Sequence, residues 1–282
     1  VTQTAPSKQI YANRSTQRHR KEATVSTTAP HHSKLRTAAE AIADIPDGAT
    51  LAVGGFGVCG IPQVLLEELS RKQVKDLEAV SNNAGLDGRG LGLLLANHQL
   101  RRIVASYVGE NKEFARQYLD GELEVELTPQ GTLAERLRAG GSGIGAFFTR
   151  TGVGTLVADG GMPWKYDQAD KTKVQVASPA KETRTIDGED YVLETAIRAD
   201  FGLIRATVAD KDGNLRFSKT ARNFNPLAAM SGKICIVEAE KVVEVGELAP
   251  DDIHLPGVFV HRIVKLTPEQ ADDKMIEKET VR

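Results

Sequence analysis

Cysteine is almost missing. Cys59 and Cys235 are the only two in 282 residues. Two isolated cysteines make neither a disulfide framework nor a zinc-ligand set, which points to a reducing, cytoplasmic setting. No apolar run approaches the roughly 20 residues needed to span a bilayer, so no membrane partner is expected. The net charge is −2, so there is no global basic field of the kind that draws nucleic acid. Histidine is scarce and scattered. His19, His31 and His32 fall near the start, and His98, His254 and His261 stand apart with no metal-ligand spacing; no metal site is expected. There is no internal repeat, and no helix-turn-helix pattern at either end. What remains, 40% hydrophobic and 26% charged, is ordinary for a globular chain of one large or two small α/β domains.

Residues 1–33 read differently from the rest. Lys8, Arg14, Arg18, Arg20 and Lys21 face a single acid, Glu22, among Ser, Thr and Gln. Such a segment buries too little apolar surface to offset its ordering entropy, so a mobile basic tail is expected. A bacterial extension or an overlong gene start is one reading. A mitochondrial transit peptide, also basic and rich in hydroxyls, is the other. Residues 34–282 form the expected folded domain.

The domain is organised around Leu51–Pro62, LAVGGFGVCGIP. A strand, Thr50 to Val53, ends in Gly54, Gly55, Gly57 and Gly60. Pro62 then takes the first position of a helix that runs to about Lys72. Clustered glycines imply positive φ or a close approach of another group. A loop of this kind aims backbone N–H groups and a helix N-terminus at an incoming oxygen or phosphate. It equally suits a tight strand-to-helix turn, and it matches neither GxGxxG nor a P-loop.

Periodicity supplies the other elements. Leu35, Ala38, Ala39 and Ile42 share one helical face. Strands follow at Leu77 to Ser81, Arg102 to Tyr107 and Leu123 to Leu127, the last with a polar face at Glu124 and Glu126. Helices follow at Lys112 to Leu119 and from a capping box, Thr132 to Glu135. Leu91 to Leu95 is ambiguous. Beyond Gly140 come short β segments: Val174 to Ala177, Thr183 to Ile186, Tyr191 to Leu193, Leu203 to Val208, Leu215 to Phe217 and Ile234 to Val237. Turns at Asp187-Gly188 and Asp212-Gly213-Asn214 separate several of them. The fold class is therefore α/β, a mainly parallel sheet with helices on both faces and a more β-rich second half. Ligands of such sheets sit beyond the carboxyl ends of the strands. The glycine loop, Asn82-Asn83 and Pro129-Gln130 each follow a strand and are expected to gather at one edge.

Several residues carry plainer readings. Cys59 has no histidine or other base nearby in sequence and reads as a small packing residue. Lys112, Glu113 and Arg116 read as a solvated helix face. Trp164 and Tyr166 suit either an intersubunit contact or an exposed loop. Asn82, Asn83 and Gln130 are neutral amides, able to donate to an oxyanion or hold a carboxylate without attacking it, and equally suited to loop chemistry.

Long motifs in order narrow the choice. DGATLAVGGFGVCGIP (Asp47 to Pro62), SNNAG (Ser81 to Gly85), SYVGEN (Ser106 to Asn111), ELTPQGTLAERLRAGG (Glu126 to Gly141), GTLVADGG (Gly154 to Gly161) and ARNFNP (Ala221 to Pro226) together resemble the family I CoA-transferases. The resemblance spans nearly all of Leu35 to Lys265 and is nearest to the A (α) subunit of the succinyl-CoA:3-ketoacid branch. It implies a three-layer fold, no permanently bound cofactor and a CoA thioester as substrate. The implied reaction moves CoA from an acyl-CoA such as succinyl-CoA to an acid such as acetoacetate, through a glutamyl-CoA intermediate. Asn82, Asn83 and Gln130 fall on positions that line the reacting centre. Gly54, Gly55, Phe56, Gly57, Val58, Cys59 and Gly60 form the loop linked to CoA binding. The family's nucleophilic glutamate lies in a serine-glutamate-asparagine-glycine type motif of the B (β) subunit, which this chain lacks. The resemblance thus implies half of an active site, completed by the B (β) subunit in an A₂B₂ assembly. An A subunit for 3-oxoadipate or acetate, or a non-catalytic ligand-sensing module of the same architecture, are the competing readings.

Overall fold

Thr37 decides how the domain begins. Its hydroxyl accepts the N–H of Glu40 while the Glu40 carboxylate takes the N–H of Thr37, a capping box. The helix therefore starts after Thr37, as α1 (Ala38–Ile42), and Leu35 stands outside it in a two-residue strand, β1 (Leu35–Arg36). That corrects the helical face expected to include Leu35. The computed structural model describes residues 33–274; apart from Ser33, the basic tail expected at residues 1–33 lies outside them.

Next come β2 (Thr50–Val53), α2 (Gln63–Lys72), β3 (Leu77–Val80), α3 (Gly92–Ala96), β4 (Leu100–Ala105), α4 (Lys112–Leu119), β5 (Glu124–Leu127) and α5 (Gln130–Gly141). Pro62 is the cap of α2, not its first residue. The ambiguous run at Leu91 is α3. The expected capping box at Thr132 is absent. Pro129, with φ −53° and ψ 137°, already turns the chain into the helix, so α5 starts three residues earlier. The Thr132 hydroxyl is left buried without a hydrogen-bond partner.

The later part holds β6 (Ala146–Thr149), α6 (Leu156–Asp159), β7 (Pro163–Tyr166), β8 (Val174–Ala177), β9 (Thr183–Ile186), β10 (Glu189–Thr195), β11 (Ala199–Asp210), β12 (Leu215–Arg216), α7 (Asn225–Ser231), β13 (Gly232–Val243), β14 (Arg262–Lys265) and α8 (Pro268–Asp272). Two small antiparallel sheets, β6-β10-β9 and β7-β8, stand off the main one. Trp164 and Tyr166 lie in β7, half buried. Trp164 sits 5.0 Å from the Arg102 guanidinium carbon and Tyr166 packs on Tyr118. Both therefore pack within this chain, where an exposed loop was one expectation.

The main sheet runs β1-β14-β13-β11-β2-β3-β4-β5, parallel throughout, with β12 added antiparallel to β11. Alternate residues of its strands feed two cores. Leu51, Val53, Ala79 and Ile103 pack with α1 to α4, and Ala52, Val80 and Val104 pack with α5 and α7. Burial on both faces is what makes these strands read as apolar runs. The order reverses between β2 and β11, because the chain builds outward from β2 to β5 and later returns beside β2 to build the other way. Such a reversal opens a crevice at the carboxyl ends of the two strands. The glycine loop leaves β2 at that point.

Candidate active site

The glycine loop is shaped by its neighbours. Gly54 donates its N–H to the carbonyl of Leu203 on β11, at 2.9 Å. A Cβ on Gly54 would lie 2.0 Å from Asn225 Oδ1 and 3.1 Å from Asn225 Cα, so only glycine fits. Phe56 and Cys59 exchange N–H to carbonyl bonds at 3.0 Å each, folding the loop into a small turn. Asn225 Nδ2 donates to Gly60 O at 3.0 Å, and Asn223 Nδ2 donates to Cys59 O at 3.1 Å. The Cys59 sulfur stands 3.3 Å from Thr220 Oγ1. The N–H groups of Gly54, Phe56, Gly57 and Cys59 are thus already engaged inside the chain, fewer open donors than the sequence pattern suggests. Phe56 is half exposed beside Phe224.

Asn82 joins this loop to the next strand end. It follows β3, is 3% exposed, and its Oδ1 accepts the N–H of Gly57 at 3.1 Å. Its Nδ2 donates to Gln130 Oε1 at 3.0 Å and to Ser106 Oγ at 3.3 Å. Ser106, just past β4, donates in turn to the backbone carbonyl of Asn82 at 3.2 Å. Gln130, the first residue of α5, is exposed. The ends of β2, β3, β4 and β5 therefore meet in one amide-rich network, in keeping with the topology. Asn83 takes a different path. Its Oδ1 accepts the N–H of Gly85, which fixes the following turn.

The expected polar face of β5 is half-buried at Glu124 and buried at Glu126. Glu126 is 6% exposed. Arg136 of α5 donates to it at 2.6 Å, and Arg102 of β4 bonds its other oxygen. Burial pushes its pKa up, but the two guanidinium groups outweigh that and hold it below the ordinary value. Glu126 is thus an ionised acid tied to two arginines. No carboxylate joins the Gly57–Asn82–Ser106–Gln130 network among the described residues. On α4, Arg116 bonds Glu113 and Glu122, and its bond to Glu113, with one from Gln117, pulls the Glu113 pKa down to about 2. That helix face is solvated, as its sequence suggests. No group of acidic, histidine or cysteine side chains suited to a metal ion occurs among the described residues.

On the other side of the loop a cavity opens between Gly57-Val58 and the turn at residues 85–90, with Arg89 and Arg205 in its wall and Lys274 at its rim. Gln63 at the start of α2 accepts the N–H of Gly90, which fixes that wall. Arg89 pairs with Asp273 at 2.9 Å and Lys274 with Glu240 at 2.8 Å. Ser106, Asn223 and Asn225 carry no role that sequence reasoning assigns. Each lies inside a motif singled out above, and Ser106 follows a strand end, which is the available signal.

Comparison with known proteins agrees with this geometry. A family profile described as Coenzyme A transferase matches residues 35–266. A Mycobacterium bovis protein, named as the probable A subunit of a succinyl-CoA:3-ketoacid coenzyme A transferase, is 62% identical over 248 residues, 88% of this chain and 98% of that one. The A subunit of a Xanthomonas campestris succinyl-CoA:3-ketoacid coenzyme A transferase is 57% identical over 239 residues, 84% of this chain and 89% of that one. The fold is shared with an Escherichia coli acyl-CoA transferase solved as a thioester complex with CoA, at a TM-score of 0.70 and 24% identity. That match covers 84% of this chain and 48% of the other, so this chain spans about half of that one's length. Glutaconate coenzyme A-transferase from Acidaminococcus fermentans shares the fold at a TM-score of 0.69 and 22% identity, over 86% of this chain and 78% of that one. With a family profile across most of its length and relatives above half identity, this chain belongs to the coenzyme A transferase family.

Proposed function

We propose that this chain is the A subunit of a CoA-transferase that moves CoA from succinyl-CoA to a 3-keto acid such as acetoacetate. The observation that carries the half-site reading is the network of Gly57, Asn82, Ser106 and Gln130. It offers neutral amides and a hydroxyl at a strand-end crevice, with no carboxylate joining them among the described residues. The names of the relatives support the substrate pair and the role of an A subunit.

In this reading the thioester carbonyl is attacked by a glutamate that the separate B (β) subunit supplies. The C–S bond breaks, CoA leaves as a thiolate and an acyl-glutamyl anhydride forms. The thiolate then attacks the glutamyl carbonyl, which releases succinate and leaves a glutamyl-CoA thioester. The acceptor acid reverses both steps. A carboxylate is a weak nucleophile, so binding energy from the CoA body is used to drive the acylation. Gln130 holds the reacting carboxylate or the developing oxyanion by its exposed amide, and Asn82 supports it by donating to Gln130 Oε1. Gly54 to Gly60, including Gly55, Phe56 and Val58, shape the wall on which the thioester lies, and Asn83 acts through the turn behind it. CoA arrives as substrate. An A₂B₂ assembly and a cytoplasmic location complete the reading, the latter supported by the bacterial sources of the relatives.

The test is a transfer assay on the purified chain, alone and with its B subunit. We expect no turnover alone and succinyl-CoA-dependent acetoacetyl-CoA formation on mixing. Turnover by this chain alone, free of partner, would refute the half-site reading.

A further inference from the structure

Glu238 lies in the middle of β13 with none of its surface exposed. One oxygen, Oε2, accepts the N–H of Leu65 at 3.0 Å. Leu65 is the third residue of α2, immediately behind the glycine loop. The other oxygen, Oε1, has no hydrogen-bond partner, and the Arg205 guanidinium stands 3.6 Å from it. Arg205, its register partner on β11, is itself 4% exposed. Its guanidinium bonds Glu240 Oε1 at 3.2 Å and the carbonyl of Ala271 at 2.9 Å. Its backbone N–H donates to Asn225 Oδ1, the same side chain that holds Gly60. Arg205 also forms part of the wall of the cavity beside Gly57 and Val58.

We propose that Glu238 is a positioning residue for the acyl-CoA site: through Leu65 and Arg205 it sets the stance of the glycine loop and the field beneath it. This inference rests on the transferase reading above. A buried acid with one unpaired oxygen costs stability that an apolar side chain of similar size would not, so packing alone does not account for it. Its contacts reach the loop by two routes, through Leu65 in the helix that follows it and through Arg205 and Asn225 to Gly60.

Burial pushes the Glu238 pKa up to about 7, against the opposing pull of Arg205 and the N–H groups of Leu65 and Val64. The charged groups around it are Arg205 on β11, Glu67 on α2, Glu240 on its own strand and Lys274 after α8, which bonds Glu240. Below neutrality the side chain is uncharged, and the positive end of α2 and Arg205 act on the loop undiminished. Above neutrality the carboxylate cancels part of that field. Acyl-CoA is an anion, so its KM rises as pH passes through 7, by roughly three- to tenfold, while kcat changes less.

The experiment measures KM and kcat for succinyl-CoA on the complex with the B subunit, across roughly pH 5.5–8.5. Glu238→Gln keeps an acceptor for Leu65 and removes the charge; it should hold the low-pH KM at every pH. Glu238→Asp withdraws the carboxylate from Leu65; it should raise KM by about five- to tenfold, the worth of one hydrogen bond, with kcat nearly unchanged. Hydrogen exchange at residues 64–66, read on this chain by itself, should quicken in the aspartate variant only. Glu240→Gln touches Arg205 but not α2 and should keep the wild-type pH profile. A wild-type pH profile in Glu238→Gln, or wild-type KM and exchange in Glu238→Asp, would overturn the proposal. An inactive wild-type complex would overturn the transferase reading instead, and the exchange measurement would still decide the Glu238 contact.

Discussion

The glycine loop and the Pro129-Gln130 turn leave neighbouring regions of one parallel sheet, yet they are held in opposite ways. The loop is enclosed. Asn225 fills the space beside Gly54 and Gly60, Asn223 holds Cys59, and Asn82 takes the N–H of Gly57. Gln130 is exposed, and Asn82 and Ser106 contact it only at its amide oxygen. The difference assigns separate duties: shape belongs to the locked wall, and contact with the reacting group belongs to the open one.

The largest effect should come from breaking the locked wall. Gly54→Val puts a branched side chain into the space of Asn225, whose Oδ1 is fixed by the N–H of Arg205. Such overpacking costs about 3 kcal/mol at the upper end of its usual range. The displaced loop should lower kcat/KM of the complex by roughly 100-fold or more, since a shift of about 1 Å near the chemistry has that consequence. Thermal melting and steady-state kinetics on the same preparation check it. A stable, active Gly54→Val complex would mean the loop tolerates a different shape.

Acting on the open wall should separate activity from stability. Gln130→Ala removes an exposed amide, so the Tm should move by less than about 2 °C. If the amide meets the oxyanion itself, kcat/KM should fall by about 10²–10³. Gln130→Glu keeps the shape and sets a like charge beside a carboxylic acid substrate, so it should be slower still. Asn83→Ala sharpens the contrast. It loses the bond to Gly85, about 1 kcal/mol, and should lower kcat/KM by roughly tenfold or less. Equal kinetics in Gln130→Ala and the wild type would remove Gln130 from the reacting centre.

Strand ends are legible in the sequence because parallel strands buried on both faces read as apolar runs closed by Gly or Asn. Thr50–Val53 and Lys112–Leu119 fall where periodicity places them. Helix starts are less legible. The Thr-to-Glu spacing at Thr132 looks like a cap, but Pro129 has already turned the chain; a capping box stands instead at Thr37, where the apolar periodicity begins earlier, at Leu35. The return of β11, β13 and β14 to the main sheet cannot be read from local pattern, because it depends on contacts far apart in the chain. The same holds for the burial of Glu126 and Glu238. Alternating Glu124 and Glu126 suggest a wet face, and only Arg102 and Arg136, from two other elements, explain why Glu126 is enclosed. The amide residues of the site are visible as motif members. Their wiring through Ser106 and Asn225 is not.

The central claim is that this chain supplies a shaped, amide-lined half-site while its partner supplies the nucleophile. Incubating the complex with succinyl-CoA, reducing the trapped thioester and locating the mass change by peptide mapping tests it most directly. The expected result is a modified glutamate on the partner B subunit, with no modified peptide from this chain. Label on any acidic residue of this chain, Glu126 and Glu238 included, would contradict it.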